Sequence, residues 1–532
     1  MDHAPRFIYH HDGSFLHWVR PPISIEQFLQ ETLHWLTGSQ VDAISCHMYS
    51  FGSPVPLYPT AIDAARAVWP ETVPTVNIWK GIRNMQAIGA AGAAGVDYWA
   101  RLVELVHAQG MQFWAAMRFN DQHPEEIGLR DRLTTDHPDY LIGMRCPQPK
   151  QMHHCEGTEL TGYCNHVDYS ERAVIEHRLA LIEEVCTRYD VDVFDMDFNR
   201  EGGHSFPADK VNDGEERLTA YVAQVRELLI RIGEKRGRPV GFFARVPGTL
   251  KACHDWQFEI ERWIGEDLVD GLGPSVMYDT TIELPFDEFV AVAKGSKCRV
   301  YACPTEGVGP GLYRSPPAST LRAAAVVAWQ QEVDGIYLMN FHHVVQRNET
   351  GDTQVTSELG DADKLSRRDK LYMVAGNGLA HQGRFFGMDR WTCHPRQLPC
   401  DVPIGDKGVT ISFRMGDDLA SARKAGVLAS VKLLLDLLFV TGEEVFVLTV
   451  NGHAISFEDA RSRISDQFDL NYGSTSGHFT FEFDLTANDC FVNGVNEVRL
   501  ILKQRPPELR RTVTFYTLGV DVRYHLIPMG VA

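Results

Sequence analysis

Short apolar runs alternate with longer amphipathic stretches from the N-terminus to about Val374. Uniformly apolar runs of about four to eight residues are typical of strands buried on both faces, and apolar residues at helical spacing indicate amphipathic helices. The predicted strands are Phe7–His10, Val41–His47, Gln112–Arg118, Val191–Asp197, Val240–Arg245, Gly271–Val276, Arg299–Cys303 and Gly335–Asn340. The helices predicted between them include Asp97–Ala108, Glu171–Tyr189, Glu215–Gly237, Phe286–Ala293 and Ser319–Glu332.

Eight strands that alternate with helices are typical of a (β/α)8 TIM barrel. A doubly wound open sheet is the alternative fold, but no GxGxxG sequence follows an early strand. The glycine-rich segment Gly89–Gly95 lies in an alanine-rich stretch, which favours helix packing over a phosphate-binding loop.

The pattern changes after Val374, where Gly, His and Pro residues interrupt the periodicity. Beyond this segment the predicted strands are Val409–Arg414, Ser430–Phe439, Glu444–Asn451, His478–Asp484, Asn496–Lys503 and Thr512–Tyr524. The dipeptide Asn451-Gly452 indicates a hairpin turn. We therefore predict a barrel over residues 1–374, a linker over 375–403 and a jelly-roll-like all-β sandwich over 404–532. We expect the sandwich to pack on the barrel; the alternative is that it binds carbohydrate.

The composition is that of a globular protein, with 532 residues, 44% hydrophobic and 23% charged. Its net charge of −19 gives no electrostatic attraction to nucleic acid or to anionic membranes. The longest apolar stretch, Val427–Val440, is too short to span a bilayer. The first residues lack a signal-peptide pattern. We expect a cytoplasmic location, or a periplasmic one if a signal was removed before residue 1.

The eleven cysteines are scattered without CxxC spacing, which indicates neither a disulfide framework nor a zinc site. Free thiols in a reducing compartment are the simplest interpretation. The alternative is a metal held by the segment that contains Cys146, Cys155, Cys164, His153 and His154. We expect no metal and no cofactor.

The most informative segment is the fourth predicted strand and its continuation, YDVDVFDMDFNRE. Because strand side chains alternate, Asp195 and Asp197 share a face with Val193 and point into the barrel near its C-terminal end, where barrel active sites are built. Two carboxylates in a partly desolvated site predict a raised pKa for one of them and a catalytic role. The alternative is that an arginine neutralises Asp195, which then only holds the mouth together. Three residues that continue into the loop are candidate substrate contacts: Asn199, Arg200 and Glu201.

Polar residues also end the third and fifth strands. Arg118 and Asn120 share strand parity, Asp121 follows them, and Arg245 ends the fifth strand. We expect these groups to bind substrate hydroxyls or to hold a catalytic carboxylate ionised. For Asp121 the alternative is a helix cap.

Further carboxylates follow other strands: Asp12 after the first, Asp279 after the sixth and Glu306 after the seventh. Glycoside hydrolysis generally uses two carboxyl groups that flank the scissile bond. Because the fourth and seventh strands lie across the mouth from each other, Asp197 and Glu306 are predicted to form such a pair.

The eighth strand ends in the sequence MNFHH, which places Asn340, His342 and His343 at the same rim as candidates for binding hydroxyls or a metal. Aromatic residues on or beside strand ends are candidates for stacking on a sugar ring: Trp114, Tyr278 and Tyr337.

The chain resembles bacterial barrel proteins of the family 10 glycosylhydrolase-like type. The matching phrases are FIYHHDG, MRFNDQH, LALIEEVCTRYDVDVFDMDFNRE, ERWIGEDLVDGLGPS and VDGIYLMNFHH. The resemblance implies a barrel, carbohydrate-directed hydrolysis and an appended β-sandwich. It places Asp195, Asp197 and Arg200 on the aspartate-rich fourth strand, and Asn120 with Asp121 on the third. Well-studied barrel glycosidases carry an Asn-Glu pair at the end of the fourth strand, and this chain has none there. The roles assigned to its carboxylates therefore rest on strand geometry and not on analogy to those enzymes.

We therefore predict a glycoside hydrolase that cleaves O-glycosidic bonds of an oligosaccharide or polysaccharide-derived glycan. Asp197 is the predicted acid/base and Glu306 the nucleophile or second carboxylate. One alternative is a metal-assisted carbohydrate lyase or hydrolase that uses Asp195, Asp197, His342 and His343. Another is a non-catalytic glycan-binding barrel. The expected partners are a carbohydrate and, through the C-terminal domain, a second copy of the chain.

Overall fold

The protein was analysed as a computed structural model. It describes residues 4–50, 54–69, 76–120, 129–142, 166–200, 205–276, 279–305, 318–341, 353–375, 397–464 and 478–525.

Eight parallel strands close into a barrel. They are β1 (Phe7–His11), β2 (Ala43–His47), β4 (Gln112–Arg118), β6 (Val193–Asp197), β7 (Gly241–Pro247), β8 (Gly271–Ser275), β9 (Arg299–Ala302) and β10 (Gly335–Met339). Two short strands, β3 (Ala67–Val68) and β5 (Arg130–Asp131), form a separate antiparallel ribbon. Around the barrel the order is β1-β10-β9-β8-β7-β6-β4-β2, so all eight predicted strands and the TIM-barrel fold are confirmed.

Helices connect the strands of the barrel and, in the case of Leu419–Lys424, two strands of the sandwich. They are α1 (Ile25–Leu33), α2 (Val76–Ala93), α3 (Tyr98–Ala108), α4 (Arg132–Asp136), α5 (Arg172–Arg188), α6 (Gly214–Arg236), α7 (Leu250–Asp255), α8 (Ile260–Gly265), α9 (Phe286–Ala293), α10 (Ala318–Gln330), α11 (Ala362–Leu365) and α12 (Leu419–Lys424). Local chemistry sets several ends: the Asp97 carboxylate caps the first turn of α3, and Gly237 ends α6 with a φ of 71°. The glycine-rich segment Gly89–Gly95 overlaps the end of α2, as the helical interpretation predicts.

Large side chains fill the lower part of the barrel, nearer the N-terminal ends of the strands. The buried cluster there includes Ile8, Trp114, Phe243 and Tyr301. Glycines make room for the rings: a Cβ on Gly271 would lie 2.9 Å from the Phe243 ring. The barrel is therefore a packed core, and its polar interior residues lie nearer the C-terminal end.

The C-terminal part is an antiparallel sandwich, as predicted. One sheet has the order β11-β20-β14-β18-β17 with β12 beside β20, and the other has the order β13-β19-β15-β16. Their bounds are β11 (Lys370–Ala375), β12 (Cys400–Val402), β13 (Val409–Met415), β14 (Leu428–Leu438), β15 (Val445–Val450), β16 (His453–Ile455), β17 (Arg461–Ile464), β18 (His478–Asp484), β19 (Gly494–Gln504) and β20 (Val513–Tyr524). Asn451 and Gly452 form the predicted turn between β15 and β16, both with positive φ.

The boundary between the domains lies earlier than the sequence predicts. Strand β11 begins at Lys370, within the range assigned to the barrel, but it pairs antiparallel with β20 of the sandwich. Strand β12, within the range assigned to the linker, also pairs with β20. The sandwich therefore begins with β11 at Lys370, and not at residue 404.

The sandwich packs on helix α10 of the barrel. Ala323, Ala324 and Val327 of this helix belong to the same buried cluster as the sandwich core. At Gly416 the contact is so close that a Cβ would lie 1.9 Å from Val326 Cγ1. The packing role predicted for the β-domain thus has a direct structural basis. Within the described ranges no helix has the length and hydrophobicity needed to cross a membrane.

Candidate functional site

Charged side chains from neighbouring strands meet at the C-terminal end of the barrel. Arg118 of β4, Asp197 of β6 and Arg245 of β7 lie level with one another, because Asp197 is the register partner of both arginines. All three are largely buried. Asp197 therefore lies on the strand between the two strands that carry these arginines.

The Asp197 carboxylate is surrounded by hydrogen-bond donors. Its Oδ1 accepts from the backbone N–H groups of Asn199 and Arg200, each at 3.0 Å. Its Oδ2 accepts from Arg245 Nη2 at 2.7 Å. These are contacts made to an anion, and the side chain remains 8% exposed at the mouth.

Arg245 is fixed from the other side by Ser275, whose hydroxyl accepts from Nη1 at 2.8 Å. Burial opposes the charge of the guanidinium, but the charge of Asp197 outweighs it and raises the pKa of Arg245. Asn199 donates to the Ser275 carbonyl and hydroxyl oxygens at 2.9 and 2.8 Å. The loop after β6 is therefore tied to the end of β8, and its turn donates to Asp197.

Asp195 lies one layer deeper than Asp197 and is 1% exposed. Its Oδ2 accepts from Ser45 Oγ at 2.5 Å and from the Tyr337 hydroxyl at 2.6 Å. Burial raises the pKa of Asp195 to about 7, although these two hydrogen bonds oppose the shift. The raised pKa expected for one aspartate of the pair thus belongs to Asp195, whose depth favours a supporting role over substrate contact.

A second polar group joins the first, third and eighth barrel strands. Asp12 Oδ2 accepts from Arg118 Nη2 at 3.0 Å and from Asn340 Nδ2 at 3.1 Å. Asn340 Oδ1 in turn lies 3.1 Å from Nδ1 of His10. Asn340 has a φ of 54°, a left-handed conformation that asparagine tolerates, and its side chain reaches Asp12 and His10 from this position.

Two histidines of this region were not singled out by the sequence. His10 shares strand parity with Asp12, a signal that could have identified it as inward-facing. His47 at the end of β2 accepts from the Arg118 backbone N–H at Nε2, 3.2 Å away, and its Nδ1 lies 2.7 Å from the Tyr49 carbonyl oxygen. The ring of His47 therefore fixes the backbone that carries Arg118.

The other predicted site residues have mixed outcomes. Asn120 exchanges two hydrogen bonds with the Val167 backbone, so its amide anchors a neighbouring segment. Arg200 and Asp279 are buried at the ends of their strands. Some predicted site residues lie outside the described residues: Asp121, Glu201, Tyr278, His342 and His343.

Glu306, the predicted second carboxylate, also lies outside the described residues. The residue before it, Thr305, is buried, and its backbone N–H donates to Thr280 Oγ1 at 3.2 Å. The end of β9 is thus tied to the segment after β8.

The expectation that Trp114 and Tyr337 stack on a sugar is wrong. Trp114 is 3% exposed and packs against Phe243 in the lower barrel. Tyr337 is 1% exposed and stacks on the same Phe243 ring, with the two ring centroids 5.2 Å apart. Strand parity correctly points both rings inward, but their depth removes them from the mouth.

The described residues contain no group of three or more His, Cys, Asp or Glu side chains placed to hold a metal ion. The segment with Cys146, Cys155 and Cys164 lies outside them. Seven cysteines in the described part are free thiols.

The chain matches no protein-family model and no curated protein. Solved structures align at low similarity. A cycloisomaltooligosaccharide glucanotransferase from Paenibacillus sp. aligns with 97% of this chain at 10% identity and a TM-score of 0.32, and the chain spans 57% of that protein. A maltogenic alpha-amylase from Thermotoga neapolitana aligns with 94% of this chain and 99% of its own length, at 9% identity and a TM-score of 0.37.

An alpha-amylase from Geobacillus thermoleovorans gives the same coverages, 94% and 99%, with 11% identity and a TM-score of 0.37. The barrel-and-sandwich assignment rests on the strand order of this chain. Because no family model matches, membership of the family 10-like barrels stays a prediction.

Proposed function

We propose that this chain is a glycoside hydrolase that cleaves an oligosaccharide or polysaccharide-derived glycan at the C-terminal mouth of its barrel. The observation that carries the proposal is the setting of Asp197. This carboxylate stands at the end of a barrel strand, accepts two backbone N–H groups and pairs with Arg245. Such a fixed anion is suited to attack on, or stabilisation of, the positive charge that develops at an anomeric carbon.

The contacts favour a different role for Asp197 from the acid/base role assigned from sequence. A general acid must arrive at the reaction carrying a proton, whereas both oxygens of Asp197 receive hydrogen bonds suited to the ionised form. We assign Asp197 as nucleophile or base, and Glu306, which follows the seventh barrel strand in the sequence, as the acid. A separation of about 5–5.5 Å between the two carboxyl groups predicts retention, and about 6.5–9.5 Å predicts inversion.

The surrounding residues supply rigidity and polar groups for a sugar. Arg245 and Asn199 hold Asp197 and its turn through Ser275. Arg118, on the strand next to that of Asp197, connects to further polar groups at the ends of β1 and β10 through Asp12 and Asn340. Several strands thus contribute polar groups to the C-terminal end of the barrel, where barrel enzymes build their active sites.

The contacts give less support to a metal-assisted reaction at Asp195 and Asp197. Asp195 is buried beneath the mouth against Ser45 and Tyr337, and Asp197 already uses both oxygens. A non-catalytic glycan-binding barrel would use the same rim, and turnover distinguishes it from an enzyme.

The test is turnover of a panel of aryl glycosides and oligosaccharides by the wild type, D197N and D197A. We expect D197N to lose at least about a thousandfold in kcat, while the exposed control D255N retains full activity. If Asp197 is the nucleophile, added azide restores turnover by D197A, since the small anion enters the space of the lost carboxylate. D197N activity within tenfold of wild type contradicts the assignment, and wild-type binding without turnover supports the non-catalytic barrel.

A further inference from the structure

Four side chains form a continuous hydrogen-bonded chain across the mouth. Arg118 Nη2 donates to Asp12 Oδ2 at 3.0 Å, and Asn340 Nδ2 donates to the same oxygen at 3.1 Å. This series of hydrogen bonds ends at His10, whose Nδ1 lies 3.1 Å from Asn340 Oδ1. All four residues are at most 6% exposed.

The chemistry of these side chains determines which atom donates and which accepts in each hydrogen bond. A carboxylate paired with an arginine only accepts, so the Asn340 amide must turn its NH2 group to Asp12 and its oxygen to His10. That oxygen is also an acceptor, so His10 Nδ1 must carry the hydrogen. In a neutral imidazole with Nδ1–H, the other nitrogen, Nε2, has a free lone pair and accepts hydrogen bonds.

The surroundings keep the ring neutral. Burial is the main cause that lowers the pKa of His10 well below its ordinary value; Arg118, Arg245 and His47 lower it further, while Asp12 opposes the shift. Arg118, Arg245 and His47 come from the third, fifth and second barrel strands, so the ring of His10 faces the barrel interior. Its centroid lies 5.5 Å from that of Tyr337, which packs beneath the mouth.

Nε2 is the ring nitrogen farther from the backbone, and His10 shares the inward-facing parity of Ile8, whose side chain lies in the buried cluster inside the barrel. Within the described part of the chain, the one hydrogen bond of the His10 ring is that to Asn340. The hydrogen bond to Asn340 therefore fixes the tautomer and the orientation of the ring, and Nε2 remains as an acceptor. The ring lies near Arg118 and Arg245, the two arginines on the strands next to that of Asp197. Asn340 and Arg118, from two other strands, and Asp12, from the end of the same strand, serve to fix it.

We propose that His10 is a substrate-binding residue whose Nε2 accepts a hydrogen bond from one hydroxyl group of the sugar bound at the mouth. This inference rests on the proposed glycan-directed function and names one determinant of its specificity. A sugar that carries hydrogen or fluorine in place of that hydroxyl lacks the donor, and a site built around a fixed acceptor discriminates against it.

Two substitutions of His10 separate the two nitrogens. H10N places an amide nitrogen near the position of Nδ1, so it keeps the donor to Asn340 and removes the Nε2 acceptor. H10Q places an amide oxygen near the position of Nε2 and keeps an acceptor there. Both are compared in the D197N background, where hydrolysis does not interfere with binding.

The binding probes are methyl glycosides of glucose, galactose, mannose and N-acetylglucosamine, and the monodeoxy and monofluoro derivatives of the tightest binder. We expect H10N to bind that sugar about tenfold more weakly than the parent, with an unchanged Tm, and H10Q to recover most of the loss. One deoxy derivative should bind the parent and H10N equally weakly. Equal affinity of the parent and H10N for the tightest sugar overturns the proposal, as does failure of every probe to bind.

A second measurement does not depend on a ligand. Long-range proton–nitrogen NMR of histidine-labelled protein, with the His10 signals identified from their absence in H10N, should show Nδ1 protonated and Nε2 unprotonated at pH 7. A cationic ring or the opposite tautomer overturns the proposal. If His10-dependent binding is found but wild type shows no turnover, the hydrolase proposal fails while the His10 proposal stands.

Discussion

Arg245 lies 2.7 Å from the Asp197 carboxylate, and both side chains are almost completely buried at the end of neighbouring strands. The pair fixes the candidate catalytic carboxylate, since Ser275 holds the guanidinium from its other side. The cost of burying one charge is offset only while the other is present.

R245M should therefore destabilise the protein by about 3–5 kcal/mol, because it leaves a buried carboxylate without its cation. The measurement is chemical denaturation at pH 7. The double variant R245M/D197N should recover part of the loss, since the remaining amide is neutral. Equal stability of R245M and wild type contradicts the view that this pair is energetically coupled.

Asp195 predicts a pH dependence of stability. Its pKa is raised from 3.8 in the unfolded chain to about 7 in the folded protein, so between about pH 4 and pH 7 the folded state binds the extra proton. Its contribution to the free energy of unfolding is most favourable below about pH 4 and is lost as the pH rises through 7. The D195N variant, which stays neutral, should gain stability relative to wild type as the pH is raised from 5 to 8.

The measurement is Tm at a series of pH values for both proteins. D192N is the matched control, because Asp192 directly precedes the strand that carries Asp195. Burial opposes the charge of Asp192, but hydrogen bonds from His107, the Phe113 backbone and Arg238 lower its pKa. Loss of the Asp192 carboxylate in D192N should therefore destabilise the protein at pH 8. A Tm difference between D195N and wild type that does not change with pH would show that Asp195 does not titrate in this range.

A buried ion pair stabilises the start of the sandwich. Lys370 donates to Asp417 at 2.8 Å, and Tyr372 and Tyr524 both donate to the same carboxylate at 2.5 Å. K370M should cost about 3–5 kcal/mol, because Asp417 is left buried without its cation. The exposed control K364M should have little effect in the same unfolding experiment, and a small effect of K370M would contradict this account.

The contact between the domains predicts a steric effect at Gly416. Since a Cβ there would lie 1.9 Å from Val326 Cγ1, G416A should destabilise the protein by about 1–3 kcal/mol. V326A in the same chain makes room for the new methyl group. The double variant should therefore be more stable than the sum of the single effects, as measured by a double-mutant cycle; additive effects would show that the two residues do not touch.

The sequence predicted the barrel well because strand and helix patterns are local. Strand β6, for example, was expected to turn Asp195 and Asp197 inward, and it does. Depth within the barrel is not local: Trp114 and Tyr337 face inward as their parity requires, but their level depends on the stagger of neighbouring strands. Parity alone therefore could not separate core rings from rings at the mouth.

Long-range pairing explains the other differences. The sequence pattern places residues 370–374 in the barrel and predicts no strand there, and the antiparallel pairing of Lys370–Ala375 with β20 assigns this segment to the sandwich. His10 was missed for a related reason. Its significance comes from Asn340, which reaches it from the last barrel strand through a left-handed backbone conformation.

The central claim is that Asp197 faces the reacting carbon of a bound sugar. It is tested most directly by a crystal structure of D197N soaked with the best substrate of the glycoside panel. We predict a sugar ring at the C-terminal mouth with its anomeric carbon about 3–3.5 Å from the residue 197 side chain if that residue is the nucleophile, or one water molecule away if it is the base. A sugar bound elsewhere on the protein, with the residue 197 side chain enclosed by Arg245 and out of reach, would contradict the claim.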